Sequence, residues 1–311
     1  MYRLLAFTGA VTLAGIAVAS ACMARPATGF SFELHWPANA ASPTLGLSRR
    51  APGHDSEWSS NFAARDLQGL DASALAARAE RPIRFAIVRE AGRIDCSGSG
   101  HDRRASGSCA FAVNAAFAKM LEQRGIGKPG DRDSYAMTMS GVGTAHLDAL
   151  ARNGYPAPTI NQLVAMGIHG ATPSFVDQLG KAGYRLKSAN DLVSFRIHGV
   201  DARFIRDMRA AAPQLASVSA TDLVAFRIHG VSPEEVRAFA DLGYRKLSAQ
   251  DLIAMRIHGV TPAFVRSFAA LGYRDLTADQ LVQLSVMGVT PDQTRDLQKL
   301  GLARPSGPAT E

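Results

Sequence analysis

The chain has 311 residues, of which 47% are apolar and 20% are charged, so it is long and apolar enough to bury a core. Its formal net charge of +7 is modest. In the tandem repeats described below, basic and acidic residues nearly balance, so no single basic stripe is evident along them.

The N-terminus is typical of an export signal. An apolar run follows the cationic start Met1-Tyr2-Arg3, and small residues precede Cys22. The run is slightly short for a transmembrane anchor, which is the alternative interpretation. The small residues before Cys22 also resemble a lipoprotein signal, in which Cys22 would be acylated after cleavage, with plain cleavage after Ala21 or Ala24 as the other outcome. We therefore assign 1–22 to an export signal and expect a periplasmic protein or an envelope-anchored lipoprotein.

Residues 30–113 consist of short runs in which apolar and polar residues alternate, bounded by Gly, Pro, Asn and Ser. This period of two is typical of half-buried antiparallel strands. The segment 71–78, between two such runs, is predicted to form a short helix. The sequence therefore predicts a small β-rich domain over 30–113.

Cys96 and Cys109 are predicted to face each other in a β-hairpin. If their strands pair across the polar loop 99–106, then Ile94 opposes Phe111 and the apolar residues share one face. In an oxidising compartment the two cysteines would form a disulfide, with two buried free thiols as the alternative. A metal site is not expected, because two cysteines without further ligands cannot complete a tetrahedron.

From residue 114 the chain is a tandem repeat. Six copies, aligned on the glycine that follows Ile-His in the central ones, are spaced by 29, 29, 31, 29 and 29 residues. The aligned glycines are Gly141, Gly170, Gly199, Gly230, Gly259 and Gly288. A second glycine lies 13 residues after each of them, except in the third copy, where Ala212 takes its place. A fixed period of this size indicates a solenoid of small supersecondary units.

Each copy predicts two short helices. The first begins at a Ser or Thr cap that is followed three residues later by Asp or Gln, as in Ser248 and Asp251. Its apolar residues are expected to form a wide buried face, as in Leu252, Ile253, Met255 and Ile257. The second begins at a capping residue before proline, as in Thr261-Pro262. Because helices of about ten residues are marginal alone, the copies should fold as a stack.

The fold class expected from these patterns is α+β. A small antiparallel β domain leads into an α-helical solenoid of about six two-helix repeats over 114–303. The array is predicted to begin with a half-repeat capped by Asn114, which covers one open end of the stack. The turn-rich tail at 304–311 is expected to be disordered.

Histidines recur at one repeat position, namely His169, His198, His229 and His258. Equivalent atoms of packed neighbouring helices lie ~8–10 Å apart, whereas ligands lie ~2.0–2.1 Å from a shared zinc ion, so the row cannot hold one metal. We expect each histidine in the last helical turn, where a ring N–H can satisfy a free carbonyl. A ligand-binding or pH-sensing role is the alternative.

Arginines form a parallel ladder two places before three of these histidines, at Arg196, Arg227 and Arg256. They are interpreted either as a solvated face with ion pairs within the stack or as an anion-binding strip. Enzyme motifs are absent, and neither catalytic activity nor a cofactor is predicted. Ser99, His101 and Asp102 lie nearly side by side, but adjacent residues rarely assemble a catalytic triad, and we assign them to a hairpin loop.

The repeat resembles one found in exported bacterial proteins. The resemblance rests on Leu-Val-Ala-Phe-Arg-Ile-His-Gly-Val-Ser-Pro at 223–233 with the later Leu-Gly-Tyr, and it covers roughly 114–303. Similar repeats are appended to antirepressor-type membrane metallopeptidases of the beta-lactam-sensor kind, and the hairpin with Cys96, followed by Phe111 and Phe117, resembles the region before them. The metallopeptidase motif is absent here, so no catalytic residue is carried over. The resemblance implies an envelope protein with a protein-binding or sensory scaffold.

The turns between helices also resemble the helix-hairpin-helix of DNA-binding proteins, including exported competence-type DNA receptors, in which a Gly-apolar-Gly backbone holds a phosphate. Only Gly141-Val142-Gly143 has both glycines here, whereas a later copy reads Gly259-Val260-Thr261-Pro262. Our first hypothesis is a non-enzymatic exported scaffold that binds a protein or peptide partner through its solenoid. The alternative is an exported DNA- or polyanion-binding protein that uses the hairpins and the arginine ladder. Membrane contact is expected only through a lipid on Cys22.

Overall fold

The computed structural model describes residues 30–51 and 54–302. They form a six-stranded antiparallel sheet followed by thirteen helices in tandem, which confirms the α+β fold with a helical repeat region. Cys22, the expected export signal and the expected tail at 304–311 lie outside the described residues. The strands are β1 Phe30–His35, β2 Thr44–Ala51, β3 His54–Asn61, β4 Arg81–Arg89, β5 Gly92–His101 and β6 Arg104–Val113, and helix α1 Ala72–Ala76 precedes β4.

The sheet consists of two three-stranded meanders that join through β1 and β6, in the order β3-β2-β1-β6-β5-β4. In β1 the side chains of Phe30, Phe32 and Leu34 are buried, whereas Ser31 and Glu33 between them are exposed. Successive residues of a strand point to opposite faces, so one face of the sheet carries its core and the other is polar and open.

The hairpin of β5 and β6 has the predicted register. Cys96 pairs with Cys109 and Ile94 with Phe111, and the two cysteines form a disulfide with their Cα atoms 4.1 Å apart. The prediction of a polar loop over 99–106 is wrong, because the two strands remain paired up to a two-residue turn. Both turn residues, Asp102 and Arg103, have positive φ, at 46° and 65°. Such a turn matches the right-handed twist of the strands, so the polar residues on either side of it stay paired between β5 and β6.

The helices of the stack have the boundaries and caps that the repeat pattern predicts. For example, Ser248 Oγ accepts a hydrogen bond from Asp251 N at 3.1 Å, and the Asp251 carboxylate accepts one from Ser248 N at 2.8 Å. This reciprocal arrangement satisfies two N–H groups at the start of the helix. The helices are α2 Ala115–Gln123, α3 Asp131–Ser140, α4 Thr144–Arg152, α5 Ile160–Ile168, α6 Pro173–Lys181, α7 Ala189–Ile197, α8 Ala202–Ala211, α9 Ala220–His229, α10 Pro233–Asp241, α11 Ala249–Ile257, α12 Pro262–Ala270, α13 Ala278–Val286 and α14 Pro291–Lys299.

Successive repeats pack through equivalent helices, as in α3 against α5 and α4 against α6. One core cluster extends from α4 to α13, and a separate cluster at the start of the stack includes residues of α2, α3 and α5. Tyrosines also link neighbouring repeats. The hydroxyl of Tyr184 donates to Val218 O at 2.9 Å, and that of Tyr244 donates to Leu276 O at 2.8 Å. In the third repeat a 3-10 turn at Pro213–Leu215 accommodates the inserted residues.

The first repeat is attached to the covered face of the sheet through α3. The ring of Tyr135 stacks on Phe30 at 4.8 Å between centroids and meets Phe111 edge-on at 5.4 Å. Met139, one turn further along α3, belongs to the core of the sheet. The carboxylate of Glu90, between β4 and β5, accepts a 3.1 Å hydrogen bond from the first backbone N–H of α4. Apolar contact and a capping carboxylate therefore both connect the sheet to the stack.

Candidate partner-binding surface

The predicted arginine and histidine positions lie together at the C-terminal ends of α7, α9 and α11. His198 and His258 are the C-cap residues of α7 and α11, and His229 is the last residue of α9. The glycine after each histidine has a positive φ, so the chain turns immediately into the next helix. His229 and His258 are exposed and His198 is half-buried. The structure thus gathers these residues along one edge of the stack.

The histidines do not make the hydrogen bond that was expected of them. In the part of the chain that the structure describes, the rings of His198, His229 and His258 have no hydrogen-bond partner. Backbone groups already occupy carbonyls at the helix ends, since Val200 N donates to Phe195 O at 2.8 Å. Equivalent 6→1 bonds occur after the other two histidines. The helix ends are therefore closed by backbone hydrogen bonds, and the side chains of His229 and His258 are exposed.

The arginines contact the preceding repeat. The guanidinium carbon of Arg196 lies 5.1 Å from the ring centroid of Phe175, and that of Arg227 lies 3.8 Å from the ring centroid of Phe204. Both distances are within the range of cation–π contacts. Each phenylalanine occupies the fifth place after the aligned glycine of its own repeat. The ladder therefore helps to fix the orientation of neighbouring repeats.

Arg256 makes the same inter-repeat contact with different chemistry. The equivalent fifth place in the preceding repeat is Glu235, and Arg256 lies 3.3 Å from its carboxylate. Arg256 Nε also donates to His229 O at 3.2 Å. In the last repeat Ser285 replaces the arginine, and its hydroxyl donates to His258 O at 2.5 Å. The residue three places before the aligned glycine thus contacts the preceding repeat in each of these copies, although the residue types differ.

A row of exposed aliphatic side chains runs beside the arginines. Each lies two places before the aligned glycine, between the arginine and the histidine positions. More than half of each residue is exposed, although the neighbouring apolar residues of the same helices are buried. This aliphatic row consists of Ile168, Ile197, Ile228, Ile257 and Val286, which are 62%, 54%, 57%, 52% and 64% exposed.

The prediction that Ile257 belongs to the buried face of its helix is wrong. Leu252, Ile253 and Met255 are buried as expected, but Ile257 is exposed. At 3.6 residues per turn, Ile257 lies about 140° around the helix from Leu252, away from the centre of the buried face. The sequence signal for the aliphatic row was an isoleucine that recurs at that angle in several repeats. It was missed because the isoleucine was counted with the buried apolar residues of the same helix.

Among the six repeats, which the structure describes in full at this position, the residue equivalent to the aliphatic row is buried in the first one. Met139 is its equivalent residue and is 9% exposed, because the core of the sheet packs against it. The first repeat also differs in sequence here, because Thr138, Met139 and Ser140 stand where the central repeats have Arg, Ile and His. The aliphatic row begins one repeat later, where the sheet no longer reaches.

A shallow depression lies on the open face of the sheet, with a volume of about 420 Å³ and polar side chains around it. It does not assemble a catalytic triad from the adjacent Ser, His and Asp. The Ser99 hydroxyl donates to Glu80 at 2.5 Å, and His101 Nδ1 lies 3.1 Å from Asp102. Over residues 30–51 and 54–302, no group of three or more His, Cys, Asp or Glu side chains is placed to hold a metal ion.

Comparisons of the sequence with protein-family models and with curated proteins give no match. One structural observation bears on the compartment. The Cys96–Cys109 disulfide is typical of proteins outside the cytoplasm. Within the described part of the chain, no helix has both the length and the apolar character that crossing a membrane requires.

Proposed function

We propose that the chain is an exported, non-enzymatic repeat scaffold that binds a protein partner along the aliphatic row. The observation that carries this proposal is the exposure of an aliphatic residue at the same position in five consecutive repeats. Single exposed apolar residues are common on protein surfaces, whereas here the exposure recurs at one position of every repeat from the second to the sixth. Repeat proteins commonly bind partners along such extended surfaces.

Covering the row contributes a free energy of the same order as the cost of association, so tight binding requires further contacts beside the row. Full burial of a Val or Ile side chain contributes about 1.5–3 kcal/mol relative to full exposure. The five residues of the row are already partly covered, so each has roughly half of that contribution still to gain. Part of the total offsets the entropy that both partners lose on association.

Export is supported by two features. The disulfide is typical of an oxidising compartment, and the chain begins with the cationic and apolar pattern of an export signal. Acylation of Cys22 would hold the scaffold at a membrane surface and leave the stack free to bind a partner there. Intact-mass analysis of the N-terminus of protein purified from cells distinguishes acylation of Cys22 from ordinary cleavage.

The test of the proposed function uses the full chain as bait in an envelope extract. We compare the natural chain with a triple variant of the row, Ile197→Ser, Ile228→Ser and Ile257→Ser. The matched control is Leu300→Ser with Leu302→Ser, since these leucines are 71% and 73% exposed at the end of the stack, outside the row. Circular dichroism checks that all three proteins keep the same helix content.

We expect at least one envelope protein to be captured by the natural chain and by the control, and capture by the row variant to fall about tenfold or more, the effect of a loss of about 1.4 kcal/mol. Equal capture by all three proteins would contradict the proposal. For the alternative, a labelled DNA duplex should bind only weakly and in a salt-sensitive manner. Tight binding at physiological salt that an Arg196→Ala, Arg227→Ala and Arg256→Ala variant abolishes would favour nucleic acid instead.

A further inference from the structure

The charges beside the aliphatic row are unbalanced. Arg196 and Arg227 are exposed, and among the described residues neither has a carboxylate within ion-pair distance. Arg256, the third member of the ladder, is paired with Glu235. The middle of the row therefore has two guanidinium groups at its edge that no acidic side chain of the described residues neutralises.

The two unpaired guanidinium groups are held in position. Arg227 lies over the ring of Phe204 at 3.8 Å and Arg196 over that of Phe175 at 5.1 Å. A guanidinium that contacts an aromatic ring through its face keeps its N–H groups free at its edge, where they can donate in pairs to a carboxylate. Because the side chains are already oriented, less conformational entropy is lost when a carboxylate binds.

The shape of the surface favours a protein segment over a lipid surface. The aliphatic row is one side chain wide in each repeat, with an exposed guanidinium on one side and an imidazole on the other in the central repeats. A narrow apolar line flanked by fixed polar groups matches alternating side chains of a polypeptide. Insertion into a bilayer needs a broader apolar face.

Resting on the proposed function, we propose that the bound partner segment is acidic and rich in aliphatic side chains. Its aliphatic side chains pack on Ile197, Ile228 and Ile257, and its carboxylates pair with Arg196 and Arg227. The row supplies contact area, and the two guanidinium groups select acidic segments over neutral or basic ones.

The experiment selects peptides without knowledge of the natural partner. A random peptide library displayed on phage is panned against the full natural chain and, in parallel, against the row variant described above. Peptides enriched only by the natural chain are sequenced. We expect them to combine Asp or Glu with Leu, Ile or Val, and we expect binding of the corresponding synthetic peptides to weaken as salt is added.

A second pair of variants isolates the contribution of charge. Arg196→Gln with Arg227→Gln should weaken binding of the selected peptides about tenfold, whereas Arg245→Gln with Arg274→Gln should leave it unchanged. Arg245 and Arg274 are exposed in loops that precede the first helices of their repeats, away from the row. The same peptides with Asn and Gln in place of Asp and Glu should also bind about tenfold more weakly.

The remaining outcomes separate this inference from the proposed function. Row-dependent peptides that are not acidic, or that bind equally to the Arg196→Gln and Arg227→Gln variant, would overturn the inference and leave the proposed function intact. If no peptide depends on the row and no envelope protein does either, both fail together. Row-dependent binding to anionic phospholipid vesicles, without row-dependent peptides, would replace the protein segment with a membrane surface.

Discussion

The first repeat and the five that follow it share the aligned glycine at the end of their first helix, but those helix ends differ in sequence and in surroundings. Met139 of the first repeat is covered by the core of the sheet, whereas the equivalent residue of every later repeat, such as Ile228, is mostly exposed. The helices themselves end in the same way, with a glycine of positive φ. The same helical position is therefore buried where the sheet lies against it and mostly exposed in the later repeats.

The largest expected effect comes from shortening the covered member of this position. Met139→Ala should lower the free energy of unfolding by about 2–5 kcal/mol, because it opens a cavity between the sheet and α3. The matched change Ile228→Ala should alter it by less than about 0.5 kcal/mol, since the side chain is mostly exposed. Urea unfolding measures both. Similar losses for the two variants would contradict the distinction between the first repeat and the others.

Two spectroscopic probes distinguish unfolding of the sheet from unfolding of the helices, because they report on different regions. The only two tryptophans of the chain, Trp36 and Trp58, pack against the core of the sheet. Their fluorescence follows unfolding of the sheet, whereas far-ultraviolet circular dichroism follows mainly the helices. In Met139→Ala the fluorescence transition should move with, or before, the helical one, because the residue lies at the junction of the two regions.

The disulfide is expected to matter next, and mainly for the sheet. The Cys96→Ala and Cys109→Ala double variant should lower the stability reported by tryptophan fluorescence by about 2–4 kcal/mol, the usual range for a native disulfide. The helical stack has its own core and should lose less. Equal shifts of both probes would instead show that the sheet and the stack unfold as one cooperative unit.

The smallest expected effect concerns a link between repeats and depends on pH. Burial raises the pKa of Tyr184 to about 12, and its hydroxyl donates to Val218 O. A raised pKa means that folding favours the protonated phenol. Its contribution to stability is therefore complete below the unfolded value of ~10 and is lost as the pH rises towards 12.

The variant Tyr184→Phe should cost about 0.5–1.5 kcal/mol at neutral pH, the net contribution of one hydrogen bond. It should also reduce the loss of stability between neutral pH and about pH 11. Tyr273→Phe is the matched control, since Tyr273 occupies the same repeat position and its hydroxyl forms no hydrogen bond within the described residues. Urea midpoints at the two pH values provide the measurement, and an unchanged pH dependence in Tyr184→Phe would contradict the expectation.

The sequence predicted those features that depend on neighbours along the chain. The caps of the helices and the glycines that end them are local, so one copy of the repeat is enough to locate them. The register of Cys96 with Cys109 was also accessible, because a shift by one residue would have moved Ile94 and Phe111 off the apolar face. The extent of that hairpin was not, because a turn of two non-glycine residues with positive φ has a weak sequence signature.

The candidate surface was predicted only in part, because its properties depend on the neighbouring repeats. Arg196 and Arg227 were identified from their spacing, but their contacts with Phe175 and Phe204 join residues of different copies. The expected carbonyl contacts of the histidines failed because backbone N–H groups from the following turn already occupy carbonyls there. Which atoms compete for a given carbonyl is decided by the three-dimensional arrangement.

The amino-acid sequence by itself determined the repeat length, the two-helix unit, the change from strands to helices and the pairing of the cysteines, because each follows from short-range periodicity and chain connectivity. Only the tertiary structure decided which apolar residues are covered. A helix of nine residues has apolar side chains on more than one side, and the packing of neighbouring helices and of the sheet selects the buried ones. That selection buried Met139 and left the aliphatic row exposed, and the row in turn defines the surface at which we propose a partner binds.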